Sequence, residues 1–241
     1  MKGRFITFEG IDGTGKTTQL TKLAERLKEE GYDVLVTKEP GSPAEPTKLG
    51  LELRQILFHT VTTHNMAPGV ADLLFLADHV QHVNKLVEPA LKEGKLVISD
   101  RYSDSQFAYA AAKKCPAYIL DAYRAAFGPI PDITLLFVSE DPQTTLTRAQ
   151  ARRGETHQSG KTWNQVQEQI TIQEHYLRNL VGQSRTYVIV VRPDETVGQI
   201  FEKVWEAVQM GLRQPIEVVQ GEQVDMIETS APLPRESRQL Y

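Results

Sequence analysis

Residues 10–17 read Gly10-Ile11-Asp12-Gly13-Thr14-Gly15-Lys16-Thr17, a complete GxxxxGK[ST] loop. Its surroundings restrict the fold more than any other part of the chain. Before it, Arg4-Phe5-Ile6-Thr7-Phe8-Glu9 alternates as a strand does. After it, Leu20, Leu23, Ala24 and Leu27 recur on one helix face. A strand, a glycine turn and a helix form the unit in which such a loop wraps a phosphate. Glycines let backbone N–H groups close around the anion, and the positive end of the helix faces it. Lys16 adds a full charge that reaches the β- and γ-phosphates, and the Thr17 hydroxyl is placed to ligate Mg²⁺. The whole loop, Gly10, Ile11, Asp12, Gly13, Thr14, Gly15, Lys16, Thr17 and Thr18, is therefore expected to bind a nucleoside triphosphate.

Strand-like and helix-like stretches alternate beyond the loop. Asp33–Thr37, Lys95–Ser99, Ile133–Val138 and Tyr187–Val191 read as strands. Helices are expected at 49–57, across 70–91 with an interruption near Pro89, at 103–113 and 116–127, from Pro142, at 163–181 and at 197–208. The expected fold is α/β, a phosphate-loop NTPase with a five-stranded parallel sheet and helices on both faces. Residues 1–211 make up the expected domain, with a short Arg- and Gly-rich lid at about 152–162. From Leu212 the helical periodicity fails. Pro215, Pro232 and Pro234 mark 212–241 as a polar, loosely ordered tail, with a weak hairpin across Ile216–Ile227 as the alternative.

Composition excludes several classes of function. The chain has 241 residues and a net charge of −4, which argues against a broad nucleic-acid surface. The single Cys115 forms no internal disulfide, so a reducing compartment is the simpler expectation. No stretch approaches the roughly 20 apolar residues of a membrane span. The N-terminus enters a strand without a charged-then-apolar signal pattern. A cytoplasmic protein with no membrane partner is expected.

Asp100-Arg101-Tyr102 follows the apolar third strand, at the strand end where ligands bind in open α/β sheets. A carboxylate there can hold Mg²⁺ through water, and an arginine can bridge phosphates. His79 and His82 lie three apart on a helix, but no further ligand with metal-site spacing accompanies them. A GTP switch would need an Asn-Lys-x-Asp base reader; Asn84-Lys85-Leu86-Val87 lacks the Asp and lies mid-helix. Lys16, Asp12 and Arg101 are all present, which argues against an inactive scaffold.

Several blocks, in order and spacing, resemble thymidylate kinases. They are Phe8–Gln19; Glu39-Pro40-Gly41; Leu73–Asp78 with Gln81-His82; Val97–Tyr102 followed by Ser105 and Ala108-Tyr109; and Pro131-Asp132. The resemblance covers residues 1 to about 210. It implies transfer of the γ-phosphoryl of ATP to dTMP, giving dTDP and ADP, with Mg²⁺ and in a homodimer built on the long helices. A kinase for another nucleoside monophosphate is the alternative on the same fold.

The resemblance also implies residue roles. Asp12 would contact the sugar 3′-hydroxyl and help place Mg²⁺, with Thr17 and Asp100 as the metal's own surroundings. Glu39 would belong to the acceptor site's metal and phosphate environment. Arg54 and Arg101 would bind the acceptor phosphate, with Ser105 beside them. Phe75 would stack on the pyrimidine, and Tyr109 would crowd the sugar 2′ position. Family members without a loop arginine supply one from the lid, which points to Arg153 or Arg152. The chain departs from the family pattern at Lys38, Ala110 and Gln173, in a lid reading Gly154–Gly160, and at His79, which stands where an arginine usually reads the thymine edge. His79, four residues after Phe75, is expected to donate to O4 of thymine.

Overall fold

The computed structural model describes residues 3–45, 48–60, 66–67, 69–153 and 159–214, excluding the side chains of 59–60, 148–153 and 159–165. Five strands form one parallel sheet: β1 (Arg4–Gly10), β2 (Val34–Lys38), β3 (Leu96–Asp100), β4 (Ile133–Ser139) and β5 (Thr186–Val191), in the order β2-β3-β1-β4-β5. The strand stretches read from the alternation and from the apolar runs are all present. β1 sits centrally, between β3 and β4. Phe8 and Lys38 are both in register with Asp100, so the loops after β1, β2 and β3 emerge side by side at one sheet edge.

Helices cover both faces, as a parallel sheet requires. Alternation along β1 sends Ile6 and Phe8 to one face, where they pack with Leu20, Leu23 and Leu27 of α1 (Lys16–Glu29) and Val204 and Val208 of α9 (Val197–Arg213). Phe5 points to the other face and meets Val83, Val87, Ala90 and Tyr102. Further along that face, Leu136 of β4 packs on Ala108 of α5 (Ser103–Ala112) and on Ile172, Tyr176 and Leu180 of α8 (Ser159–Leu180). Each fully buried Leu, Ile, Val or Phe side chain among these contributes about 1.5–3 kcal/mol. α6 (Ala117–Ala125) and α7 (Pro142–Arg153) complete the shell.

The expected long helix over 70–91 is interrupted, but ahead of the proline. α3 (Val70–His82) passes through a π turn at Val83–Val87 into α4 (Glu88–Lys92). Pro89 has no N–H for the carbonyl of Lys85, four residues back, so the ladder loosens in the preceding turn. α2 (Leu49–Gln55) likewise widens into a π turn, Ile56–Thr60. α9 runs to Arg213, two residues past the expected domain end, where Arg4 donates to the carbonyls of Gly211, Leu212 and Gln214. Residues 215–241 of the expected tail, and 154–158 of the expected lid, lie outside the described residues.

Candidate active site

The phosphate loop is shaped by what surrounds it. Gly13 has a φ of 87°, and a Cβ there would run into the Thr145 carbonyl. Gly15, at φ 88°, opens on free space and caps α1 with no side chain on its first-turn N–H groups. Those donors therefore remain available to an anion. Lys16 donates to the carbonyls of Gly10 (3.0 Å) and Ile11 (2.7 Å). Burial, then Arg101, lowers its pKa to about 8 against the opposing pull of Asp100, Asp12 and Glu9. The Thr17 hydroxyl donates to Asp100 Oδ2 at 2.6 Å. A threonine hydroxyl beside a carboxylate is a hard-oxygen pair suited to Mg²⁺, which keeps most of its shell as water and phosphate oxygens. Among the described residues, no group of three or more His, Cys, Asp or Glu is arranged as a metal cage.

Arg101 is the hub of the second half of the site. Its guanidinium donates to Asp12 Oδ1 (2.6 Å) and the Tyr109 hydroxyl (3.0 Å) through one nitrogen, and to Ser105 Oγ (3.1 Å) and the Tyr176 hydroxyl (3.2 Å) through the other. It also lies 5.0 Å from the Tyr109 ring centre. Asp12 of the loop and Arg101 after β3, read from separate motifs, are thus brought into direct contact. Burial, opposed by Arg101, pushes the Tyr109 phenol up to about 12, so Tyr109 is a neutral hydroxyl at working pH.

Glu39 and His79 take a different place from the expected one. Glu39 is buried. Its Oε1 accepts from His82 Nδ1 (2.6 Å) and His79 Nδ1 (2.9 Å), and its Oε2 accepts from Gln106 (3.2 Å). His79 is 1% exposed, and its Nε2 faces the carbonyls of Ala126 (3.0 Å) and Phe127 (3.3 Å). Both ring nitrogens meet only acceptors, so both carry protons and His79 is an imidazolium. Burial works against that charge, but Glu39 and the two carbonyls outweigh it and raise the pKa. The base-edge role expected for His79 is therefore corrected: neither N–H is free to donate to a thymine O4. Its charge is spent inside the protein, on Glu39. Glu39 in turn has its carboxylate committed to two histidines and an amide, rather than turned toward a metal.

The remaining expected residues line a wall beside the loop after β2. Arg54 donates to the Pro40 carbonyl (2.8 Å), in the cis Glu39–Pro40 turn, and its guanidinium sits 4.8 Å over the Phe58 ring. Phe58 meets Phe75 edge-on at 6.3 Å. Phe75 is half-buried, with part of its surface available to a ligand. Arg152 and Arg153 end α7, and their side chains lie outside the described residues.

Three participants escaped the sequence reading. Glu9 is fully buried and bonded to Tyr102, Ser105 and Tyr176. The signal was present: a carboxylate ending the inward-facing series Phe5, Thr7, Glu9 of a central strand must have partners. Tyr176 reaches the site from α8, some 75 residues beyond Arg101 in the chain. Nothing local marks it. Phe58, 51% exposed on a π turn, gives no periodic signal.

A model of the family described as thymidylate kinase matches residues 8–202. The chain is 36% identical to a thymidylate kinase of Maridesulfovibrio salexigens over 83% of its own length and 92% of that protein's. It is 33% identical to one of Bifidobacterium longum over 89% of its length and 99% of the relative's. With one of Afipia carboxidovorans the identity is 35%, over 86% and 90% respectively.

Proposed function

The chain belongs to the thymidylate kinase family, and from that premise we propose that it transfers the γ-phosphoryl group of ATP to dTMP, giving dTDP and ADP. The observation that carries the reading is the contact between Arg101 and Asp12. It sets a phosphate-binding arginine against the donor loop, so that two phosphate groups can meet across it. Phosphoryl transfer asks little covalent chemistry of the protein; positioning and neutralisation of charge supply the catalysis.

In this reading Lys16 swings from its loop carbonyls to the β- and γ-phosphates, and the first-turn N–H groups of α1 hold the β-phosphate. Arg101 and Arg54 hold the acceptor phosphate in line with the γ-phosphorus. Phe75 stacks on the base, with Phe58 buttressing it edge-on. Tyr109 closes the sugar's 2′ side, and Asp12 takes the 3′-hydroxyl when Arg101 turns to phosphate. Ser105 steadies Arg101. Thr17 and Asp100 would hold Mg²⁺, which when bound would supply charge neutralisation at the transferring group. No helix among the described residues is long and apolar enough to cross a membrane; we place the enzyme in the cytoplasm with ATP and dTMP as its small-molecule partners and no nucleic-acid partner. Residues 1–211 are the catalytic unit. Val70, Leu73 and Val80 leave an apolar stripe exposed along α3, and a second copy of the chain is its occupant in the homodimer the family implies.

The test is ADP release from ATP with dTMP, dUMP, dCMP and dGMP. We expect kcat/KM for dTMP to exceed that for dCMP and dGMP by about tenfold or more, the factor that about 1.4 kcal/mol of differential transition-state binding gives. A preference for dCMP or dGMP would replace the acceptor, and no ADP release with any of the four would overturn the reading.

The lid arginine is a separate expectation. Loop positions 11–14 hold no cation, and Arg152 and Arg153 stand at the end of α7, where the expected lid begins. A lid arginine stabilises charge in the transition state. Arg152→Ala with Arg153→Ala should then lower kcat by a larger factor than it raises the KM for ATP. Unchanged kcat in the double variant returns both residues to a solvated helix end.

A further inference from the structure

We propose that Glu9 is the positioning residue for Arg101, setting both its backbone and its guanidinium. The inference rests on the reading of Arg101 as a ligand of the acceptor phosphate. Arg101 has a φ of 75°, in the left-handed region that a residue with a Cβ rarely occupies. Such a conformation persists only where the surroundings over-determine it. Here they do so on each side of the residue. The Arg101 N–H donates to the Phe8 carbonyl (3.0 Å), and the Ser99 hydroxyl donates to the Arg101 carbonyl (2.6 Å). The next N–H, that of Tyr102, donates to Glu9 Oε1 (2.9 Å). Phe8 and Glu9 are consecutive on β1, so the central strand grips the chain just before and just after the left-handed turn.

The other oxygen of Glu9 acts on the side chain. Ser105 Oγ lies 2.5 Å and the Tyr176 hydroxyl 3.2 Å from Glu9 Oε2. These are the two hydroxyls that accept from Arg101 Nη1, and they lie 2.6 Å from each other. One carboxyl thus anchors both acceptors that hold the outer nitrogen of the guanidinium. Nη2 is left to Asp12 and Tyr109. Glu9 itself is fully buried, at the sheet end of this chain of bonds, and touches no surface a substrate could reach. Burial, then the nearby Asp104, pushes its carboxyl up to about 8 against Ser105, Arg101 and Tyr176. A neutral glutamine is accordingly a near match in shape and charge: its carbonyl oxygen accepts from the Tyr102 N–H, and its amide N–H groups donate to the two hydroxyls in place of accepting from them.

The experiment compares Glu9→Leu, Glu9→Gln and Arg101→Ala with the native chain, following kcat and the separate KM values for dTMP and ATP. Leucine fills the volume but leaves the Tyr102 N–H and the two hydroxyls without their anchor. We expect Glu9→Leu to lower kcat/KM for dTMP about ten- to a hundredfold, as the loss of one or two hydrogen bonds supporting a charged group does. The KM for ATP should stay within about twofold, since Lys16 is held by the Gly10 and Ile11 carbonyls and no hydrogen bond joins Glu9 to it. Glu9→Gln should restore most of the loss. A merely structural glutamate would change the melting temperature of Glu9→Leu without this split between substrates. If Glu9→Leu does not fold, Tyr176→Phe removes one hydroxyl and keeps the ring, and should raise the KM for dTMP several-fold. Native kinetics toward dTMP in folded Glu9→Leu, or in Tyr176→Phe, beside an inactive Arg101→Ala overturns the positioning role alone. A fully active Arg101→Ala overturns both this inference and the function assigned to Arg101.

Discussion

Lys16→Met is expected to lower kcat more than a hundredfold and to move the melting temperature by no more than a few degrees. One well-placed charge on the transferring phosphoryl group is worth on the order of 3 kcal/mol of barrier or more. The small stability effect follows from two offsetting terms. The side chain is 6% exposed, and its ammonium gives up two hydrogen bonds to the Gly10 and Ile11 carbonyls when removed. The same change takes a cation out of a site where burial and Arg101 already disfavour it. Methionine keeps the apolar stem. ADP-release kinetics together with calorimetry check both halves. Near-native kcat would remove Lys16 from the chemistry, and a large fall in melting temperature would show that the loop depends on the ammonium for its shape.

Glu39→Gln is expected to have the larger effect on folding, a loss of about 3–5 kcal/mol, since it strips a buried imidazolium of its counter-charge. For a chain of this size that corresponds to a melting temperature lower by roughly 10 °C. The pair also predicts a pH dependence. Burial alone would raise the Glu39 carboxyl, but the charge of His79 and the hydrogen bonds from His79 and His82 bring it down to about 2. A carboxylate depressed in the folded state stabilises above its ordinary pKa of about 4.5, and that stabilisation is lost as pH falls from there toward 2. His79 is raised in the folded state, so its share is complete below its ordinary value of about 6.5 and is lost as pH rises through the folded value. The native chain should therefore lose stability between pH 4.5 and 2 more steeply than Glu39→Gln does. Urea midpoints across that range measure it. Parallel curves, or a Gln variant as stable as the native chain at pH 6, would mean that the triad holds nothing together.

This buried triad also marks the limit of sequence reading at the site. The spacing of Phe75 and His79 correctly put both on one helix, but helical spacing does not say which face meets ligand and which meets protein. α3 turns Phe75 partly outward against Phe58, while His79 is pressed under Tyr102, 4.9 Å between ring centres, and into the carbonyls that follow α6. Those carbonyls lie 47 and 48 residues downstream. Arg101 shows the same division. Its position after an apolar strand was visible in the chain, whereas its φ and its contacts with Asp12 and Tyr176, 89 and 75 residues away, were not.

What the sequence determined by itself is everything that depends on neighbours along the chain. The loop at 10–17, the five strands, most helix positions and the thymidylate kinase resemblance all rest on periodicity, glycine placement and short spacings, which act over a few residues. The tertiary structure alone decided which charged groups meet. It committed Glu39 to His79 and His82, placed Glu9 under Arg101, and set Asp12 against that arginine. The physical reason is that hydrogen bonds and ion pairs act over about 3 Å. Where two side chains stand to that tolerance is fixed only when separate helices and strands pack, and the partners of a buried charge are then whatever groups the packed elements present.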